Sequence, residues 1–302
     1  MKNACALALA ALSSLSVAAQ ARDLSEWVVS GDGVVPVSVN GVPGRVRIDP
    51  AVPSMPLFAA PFAMRAELNP GPFAFGYMVG PEQVDGRTAV ARIAIGEGGE
   101  ERRRRVGWTA RPYFAGADGV IGPGGLPARV VRFVLRPSLP GERTATLPMI
   151  DEGGLFGGWG HMYALVEVGG APMRVRFDPH NPRTLVTAGA GVRLAAAFDG
   201  LFSGEAETLT IAFGISRPVR TLRLGRPFAI GPLSLSMLGV RTADFGNTAA
   251  IREEGGDPDE IVVAAERRNT ARDRIALGAD SLARCSSIVF DKDARQIRLT
   301  CA

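Results

Sequence analysis

Two aspartates stand at matching points of an internal repeat. Asp49 closes the stretch Val37-Ser-Val-Asn-Gly-Val-Pro-Gly-Arg-Val-Arg-Ile-Asp49-Pro50. Asp178 closes Val166-Glu-Val-Gly-Gly-Ala-Pro-Met-Arg-Val-Arg-Phe-Asp178-Pro179. Aligned without gaps at an offset of 129, the copies agree at 9 of 14 positions. Two carboxyl groups held about 3 Å apart share one proton, because both cannot be ionised at that distance. The ionised one then serves as general base on a water, and the protonated one polarises a carbonyl. That chemistry needs no metal and no cofactor, and it is open to this chain if the two copies face each other. A carboxylate at a strand end before proline also accepts backbone hydrogen bonds in a turn, a role that needs no catalysis.

Other reactive groups are few. His161 and His180 are the only histidines, and no His, Cys or carboxylate cluster has metal-ligand spacing. The glycine-rich stretches Gly96-Glu-Gly-Gly and Gly122-Pro-Gly-Gly lack the Lys-Ser/Thr ending of a phosphate loop. A Gly-x-Ser-x-Gly elbow is absent. No cofactor is therefore expected. Tyr77, in an aromatic strand with glycines on both sides, reads either as a core aromatic or as part of a hairpin over a cleft. His180, two residues after Asp178, could crowd the carboxylates or hydrogen-bond to them.

The elements that must position these groups are short strands. Asn40-Gly41 and Gly169-Gly170 are hairpin turn signals, so each copy reads as strand, turn, strand and then aspartate. Strands are also expected around 27–39, 73–80, 90–95, 102–108, 118–122, 130–135, 209–213, 219–224, 228–230 and 233–240. Short helices fit 58–68 and 187–198. Residues 136–161, rich in proline and glycine, hold the expected boundary between two halves. A repeat this long is too large for a solenoid unit and suits two lobes. The 37 glycines and 22 prolines are spread among alternating apolar stretches, which favours turns over disorder.

Residues 1–21 read as a secretory signal: Lys2, an apolar run from Ala4 to Val17, and Ala19-Gln20-Ala21 as the cleavage site. The mature chain is then periplasmic or extracellular, with no spanning segment after signal removal. Cys285 and Cys301 remain as an even pair in an exported protein. They flank two alternating strands, and folding that hairpin brings them together as a disulfide closing a loop of about 17 residues, worth about 3 kcal/mol. The net charge of +4 is small, and the one basic run, Arg102-Arg-Arg-Arg105, has no aromatic interleaving. It reads as the solvated face of a hairpin, and nucleic acid is not an expected partner.

Taken together these residues resemble the aspartic peptidase superfamily in its two-lobed, pepsin-like form. Three features carry the resemblance. Each half has a strand-turn-strand ending in Asp. Each half later has an apolar pair before Gly, in Gly119-Val-Ile-Gly122 and Ile275-Ala-Leu-Gly278. The stretch from Leu277 to Leu299 is similar to the family's closing helix and hairpin. The resemblance implies an all-β, two-lobed architecture: residues 22–150 as one lobe and 151–302 as the other. It makes Asp49 and Asp178 the candidate dyad, and it implies a cleft for a peptide or protein ligand. The family motif is Asp-Thr-Gly or Asp-Ser-Gly, whereas this chain has Asp49-Pro50-Ala51 and Asp178-Pro179-His180. Proline has no hydroxyl and no N–H, so both ties of that kind are missing, and only the Ala51 N–H is left as a donor in the first lobe. The expected function is a catalytically impaired peptide-binding protein. Its alternatives are an active endopeptidase and a structural envelope module.

Overall fold

The computed structural model describes residues 25–153, 160–244, 246–255 and 270–302. The N-terminal apolar run 1–21 and most of the acidic loop 253–260 lie outside them. Among the described residues the fold is all-β with three short α-helices.

In the first half the strands are β1 (Glu26–Val29), β2 (Val34–Val39), β3 (Val42–Ile48), β4 (Leu57–Ala59), β5 (Ala74–Val79), β6 (Glu82–Ile95), β7 (Arg102–Thr109), β8 (Gly119–Ile121) and β9 (Val130–Val134), with helix α1 (Ala60–Arg65) after β4. The second half has β10 (Arg143–Asp151), β11 (Met162–Val168), β12 (Ala171–Phe177), β13 (Leu185–Thr187), β14 (Leu201–Ala212), β15 (Ile215–Ile230), β16 (Leu233–Arg241), β17 (Arg274–Leu277), β18 (Cys285–Asp291) and β19 (Gln296–Cys301). Its helices are α2 (Ala188–Phe198) and α3 (Ala279–Leu282).

The two halves repeat one another strand for strand. The first runs β2-β3-β8-β4-β7-β6-β5, and the second runs β11-β12-β17-β13-β16-β15-β14. In each, the strand that delivers the aspartate lies parallel to the later strand before Gly, β3 against β8 and β12 against β17. The short strand after the aspartate pairs on the other side of that strand, antiparallel. The two hairpin turns need positive φ, and Gly41 (φ 82), Gly169 (φ 58) and Gly170 (φ 75) supply it.

The halves close differently. In the first, β2 also pairs with β6, which makes a six-stranded barrel. Asn40 fastens that seam: its Oδ1 accepts from Arg92 N–H at 3.1 Å and its Nδ2 donates to Ala66 O at 3.0 Å. In the second, α2 packs against β11, β13, β15 and β16. Thr187 caps this helix, its hydroxyl accepting from Ala190 N–H, and Asp199 ends it in the left-handed region. Arg193 reaches from α2 to the β11–β12 turn and donates to the carbonyls of Val168, Ala171 and Pro172.

Strands from both halves join in the order β1-β9-β18-β19-β10, a sheet that continues into the second half through β10 and β11. Cys285 and Cys301 are register partners on β18 and β19, and their sulfurs are at bonding distance, 2.08 Å. One apolar core runs through both halves, from Val39 and Phe62 to Phe177, Leu222 and Phe290.

Several segments differ from expectation. Residues 143–151 form β10 despite the proline at 148, which sits next to the end of its pairing with β19. The stretches 219–224 and 228–230 are one strand, β15, with a bulge between Arg223 and Phe228. The arginine run on β7 is only partly solvated. Arg102 and Arg103 are exposed, whereas Arg104 donates to Gly125 O and Arg105 donates to Thr88 Oγ1 at 3.1 Å.

Candidate active site

Asp49 and Asp178 sit at equivalent points of the two halves. The Asp49 N–H donates to Ile121 O at 3.0 Å, and the Asp178 N–H donates to Leu277 O at 2.7 Å. Each aspartate is thus pinned to the last residue of the parallel strand beside it. The glycine that follows that strand has a steric reason. A Cβ on Gly122 would lie 2.3 Å from Val52 O, and one on Gly278 would lie 2.2 Å from the Arg183 carbonyl carbon. Only glycine lets the loop after each aspartate pass this close.

The prolines after the aspartates do not prevent a backbone donor in the first half. The Ala51 N–H donates to Asp49 Oδ1 at 2.7 Å. On the second half the partner is a side chain: Arg176 Nη2 lies 3.5 Å from Asp178 Oδ2. His180 reaches toward the other half, with Nε2 3.9 Å from Asp49 Oδ2. Burial and the neighbouring Arg47 cation hold the imidazole below its usual pKa, against the pull of Asp178 and Asp32. At neutral pH the ring is therefore uncharged and makes a polar contact to Asp49, without a full ion pair.

The Asp49 carboxyl is strongly perturbed. Burial pushes its carboxyl up to about 7, and the negative charge of Asp178 adds to the rise. The Ala51 N–H, Arg176 and Arg47 pull the other way and are outweighed. The charge of Asp178 therefore bears on the protonation of Asp49.

The Arg176 side chain beside Asp178 is covered by the chain itself. The β5–β6 hairpin carries Tyr77, whose hydroxyl lies 3.3 Å from Tyr113 Oη, 3.4 Å from His161 Nε2 and 3.5 Å from Arg176 Nη1. Its ring packs edge-on against Phe213 at 5.1 Å and Tyr113 at 5.7 Å. Tyr77 therefore serves as both a packed aromatic and a polar contact above Arg176. Phe213 comes from the tip of the long β14–β15 hairpin of the second half, where it takes φ 55. Val52, Leu57, Val79, Val84 and Val120 of the first half bury against Ala212, Phe213 and Ile215 of the second. The hairpin tip is tied down as well. Arg217 Nε donates to Val79 O at 3.0 Å, and its Nη2 donates to Glu82 at 3.4 Å.

Little open room is left. A cavity of about 20 Å³, enough for roughly one water, is lined by Tyr77, Arg176, Thr187, Arg241 and Arg274 among others, but not by Asp49 or Asp178. Burial, with Arg176 and Arg274 nearby, keeps His161 well below its usual pKa, so it is a neutral partner for Tyr77. Among the described residues no group of three His, Cys, Asp or Glu side chains is placed to hold a metal ion.

The sequence reading named Asp49, Asp178, Tyr77 and His180, and the fold brings all four into one region. It did not single out Arg176, Arg217, Tyr113 or Phe213. A signal for the first was present, because Arg176 stands two residues before Asp178 in the repeat and its side chain shares a strand face with it. Nothing local to Arg217 or Phe213 points to the opposite half. Comparison with family models finds no match to this chain, and comparison with the curated proteins finds none either.

Proposed function

We propose that this is an exported protein with aspartic-peptidase-like lobes that holds a peptide or protein segment between them without hydrolysing it. The observation that carries the reading is the pairing of Asp178 with Arg176 under Tyr77. A hydrolytic dyad needs a carboxylate free to take a proton from water. Here a buried guanidinium occupies one oxygen of Asp178, and the open space is bounded by arginines. A ligand enters when the β5–β6 hairpin lifts away from Arg217 and Phe213. Main-chain hydrogen bonds from the ligand to that hairpin then take the place of those from Arg217.

One observation favours a second reading, an active endopeptidase. The Asp49 carboxyl is pushed up to about 7 by burial and by Asp178, as in a pair that shares a proton. A single assay separates the two. Mature protein is incubated with a mixed peptide library from pH 3 to 7, and intact and cleaved peptides are counted by mass spectrometry. The binding reading expects retained, uncleaved peptides at every pH. Cleavage that disappears in both Asp49→Asn and Asp178→Asn establishes the peptidase instead. Neither retention nor cleavage leaves a structural envelope module.

A further inference from the structure

The cleft contains more positive charge than its carboxylates balance. Arg176, Arg241 and Arg274 line the 20 Å³ cavity, and the same three line a second cavity of about 10 Å³ beside it. All three belong to core strands: Arg176 on β12, Arg241 at the end of β16 and Arg274 at the start of β17. Two have carboxylate partners. Arg176 is 3.5 Å from Asp178, and Arg241 is 2.6 Å from Asp244. Among the described residues Arg274 has no ion pair. Its Nη1 donates to Tyr163 Oη at 3.1 Å and its Nε donates to Arg272 O at 3.4 Å. Among the described residues three guanidiniums line the cavities and two of them have carboxylate partners, so one positive charge there is left without an ion pair.

Two buried donors point to what balances it. Among the described residues Arg176 Nε and Arg241 Nε are both buried without a hydrogen-bond partner, as are the two carboxylate oxygens of Asp244 beside Arg241. A buried guanidinium N–H without an acceptor is costly. The like charges of Arg176 and Arg274 bear on Arg241, and with burial as the main cause its pKa is pushed down to about 10. Of the titratable groups nearby, Asp49 feels Arg176 but is pushed up to about 7 by burial and lines neither cavity. Burial holds Tyr113 and Tyr163 above their ordinary pKa, and His161 is neutral.

We propose that the two cavities are a binding site for one singly charged anion, a halide or the carboxylate of a cleft ligand, held by Arg176, Arg241 and Arg274. Arginine forks suit a carboxylate in a bidentate geometry, and their diffuse charge suits a weakly hydrated halide. Asn181 and Thr187 add polar walls. Tyr77 forms one side of the larger cavity, so a free halide fits with the hairpin closed, while a carboxylate enters as the Tyr77 ring moves aside. The site does not depend on whether a peptide is bound or cut.

The test uses the mature chain in chloride-free buffer with sodium sulfate holding the ionic strength constant. Thermal unfolding is followed while sulfate is exchanged for sodium chloride in one series and for sodium acetate in another. A specific site raises Tm along a saturating curve by about 3 °C or more, and Arg274→Gln halves that rise or removes it. Wild-type crystals soaked in sodium bromide give a second reading that is independent of whether any variant folds. A chloride response with an anomalous bromide peak among the three arginines assigns a halide site. An acetate response alone assigns the carboxylate of a ligand. No saturating response to either salt, together with no bromide peak in the cavity, overturns the proposal.

Discussion

Arg47 and Arg176 occupy the same position in the two copies of the repeat, two residues before Asp49 and Asp178. Their surroundings differ. Arg47 stacks over the Phe114 ring at 3.7 Å. Arg176 turns to Asp178 and Tyr77. The aspartates diverge accordingly: Asp49 is held by a backbone N–H and buried, and Asp178 is held by a cation. Duplication places equivalent groups at equivalent backbone points. The aromatic neighbours, which come from non-repeated segments, decide what each side chain then meets. A dyad built from two identical loops is symmetric; this pair is not, and that asymmetry is the strongest physical argument against ordinary peptidase chemistry here.

The same contrast holds at the seams of the two halves, and substitutions sharpen it. The largest effect is expected at Arg193, which closes the second half. It is buried, 3.4 Å from Asp273, and donates to three carbonyls. Replacing it with Met breaks a buried pair and strands those carbonyls, at a cost of about 3–5 kcal/mol. Asn40→Ala at the first seam removes two hydrogen bonds at an exposed site and costs about 1 kcal/mol. Urea unfolding of both variants measures the difference; equal destabilisation would mean that the seams do not differ as described.

Next in size is the pH dependence that Asp49 imposes. Its carboxyl titrates near 7 in the folded chain and near 3.8 as an isolated group. Between these values the folded state binds more protons than the unfolded state. The stabilising contribution is therefore complete below about pH 4 and is lost as pH rises through about 7, a loss of roughly 3–4 kcal/mol. Denaturant midpoints from pH 4 to 8 should show this decline, and Asp49→Asn should flatten it. Asp178→Asn removes one cause of the rise and should move the window to lower pH. A decline of unchanged size in Asp49→Asn would show that another group is responsible.

A smaller effect than that of Asp49 is expected at Arg217, which ties the β5–β6 hairpin of the first half to β15 of the second. Arg217→Ala removes hydrogen bonds to Val79 O and Glu82 and should cost about 1–2 kcal/mol. Its clearer signature is local. Amide exchange across 77–84 should speed up more than exchange in the core strands. Uniform exchange rates in that variant would mean that the Phe213 cluster alone holds the hairpin.

Much of this molecule was legible in the chain. Period-two alternation and the Asn40-Gly41 and Gly169-Gly170 turns marked the hairpins, because side-chain direction and positive φ are local properties. The β10 strand was hidden by its proline and by the glycines around it, since pairing with β19 and β11 is a long-range event. The break drawn between 224 and 228 was a bulge, which sequence periodicity registers as an end. The half-buried part of the arginine run is not legible in the sequence because Arg104 and Arg105 find their partners at Gly125, Thr88 and Phe73, none of which is a sequence neighbour.

By itself the sequence determined the repeat, the strand ends at which Asp49 and Asp178 stand, the glycines that let each loop pass, and the cysteine pairing. Each of these depends on steric or spacing rules that act over a few residues, or on a duplication that can be read directly. Only the tertiary structure decided that Arg176 faces Asp178, that Tyr77 packs on Phe213 above Arg176, and that three arginines converge on the cavities beside it. Those contacts join residues separated by as much as 138 positions, as at Arg217 and Val79. Their energies depend on burial and on neighbouring charge, which local pattern does not encode.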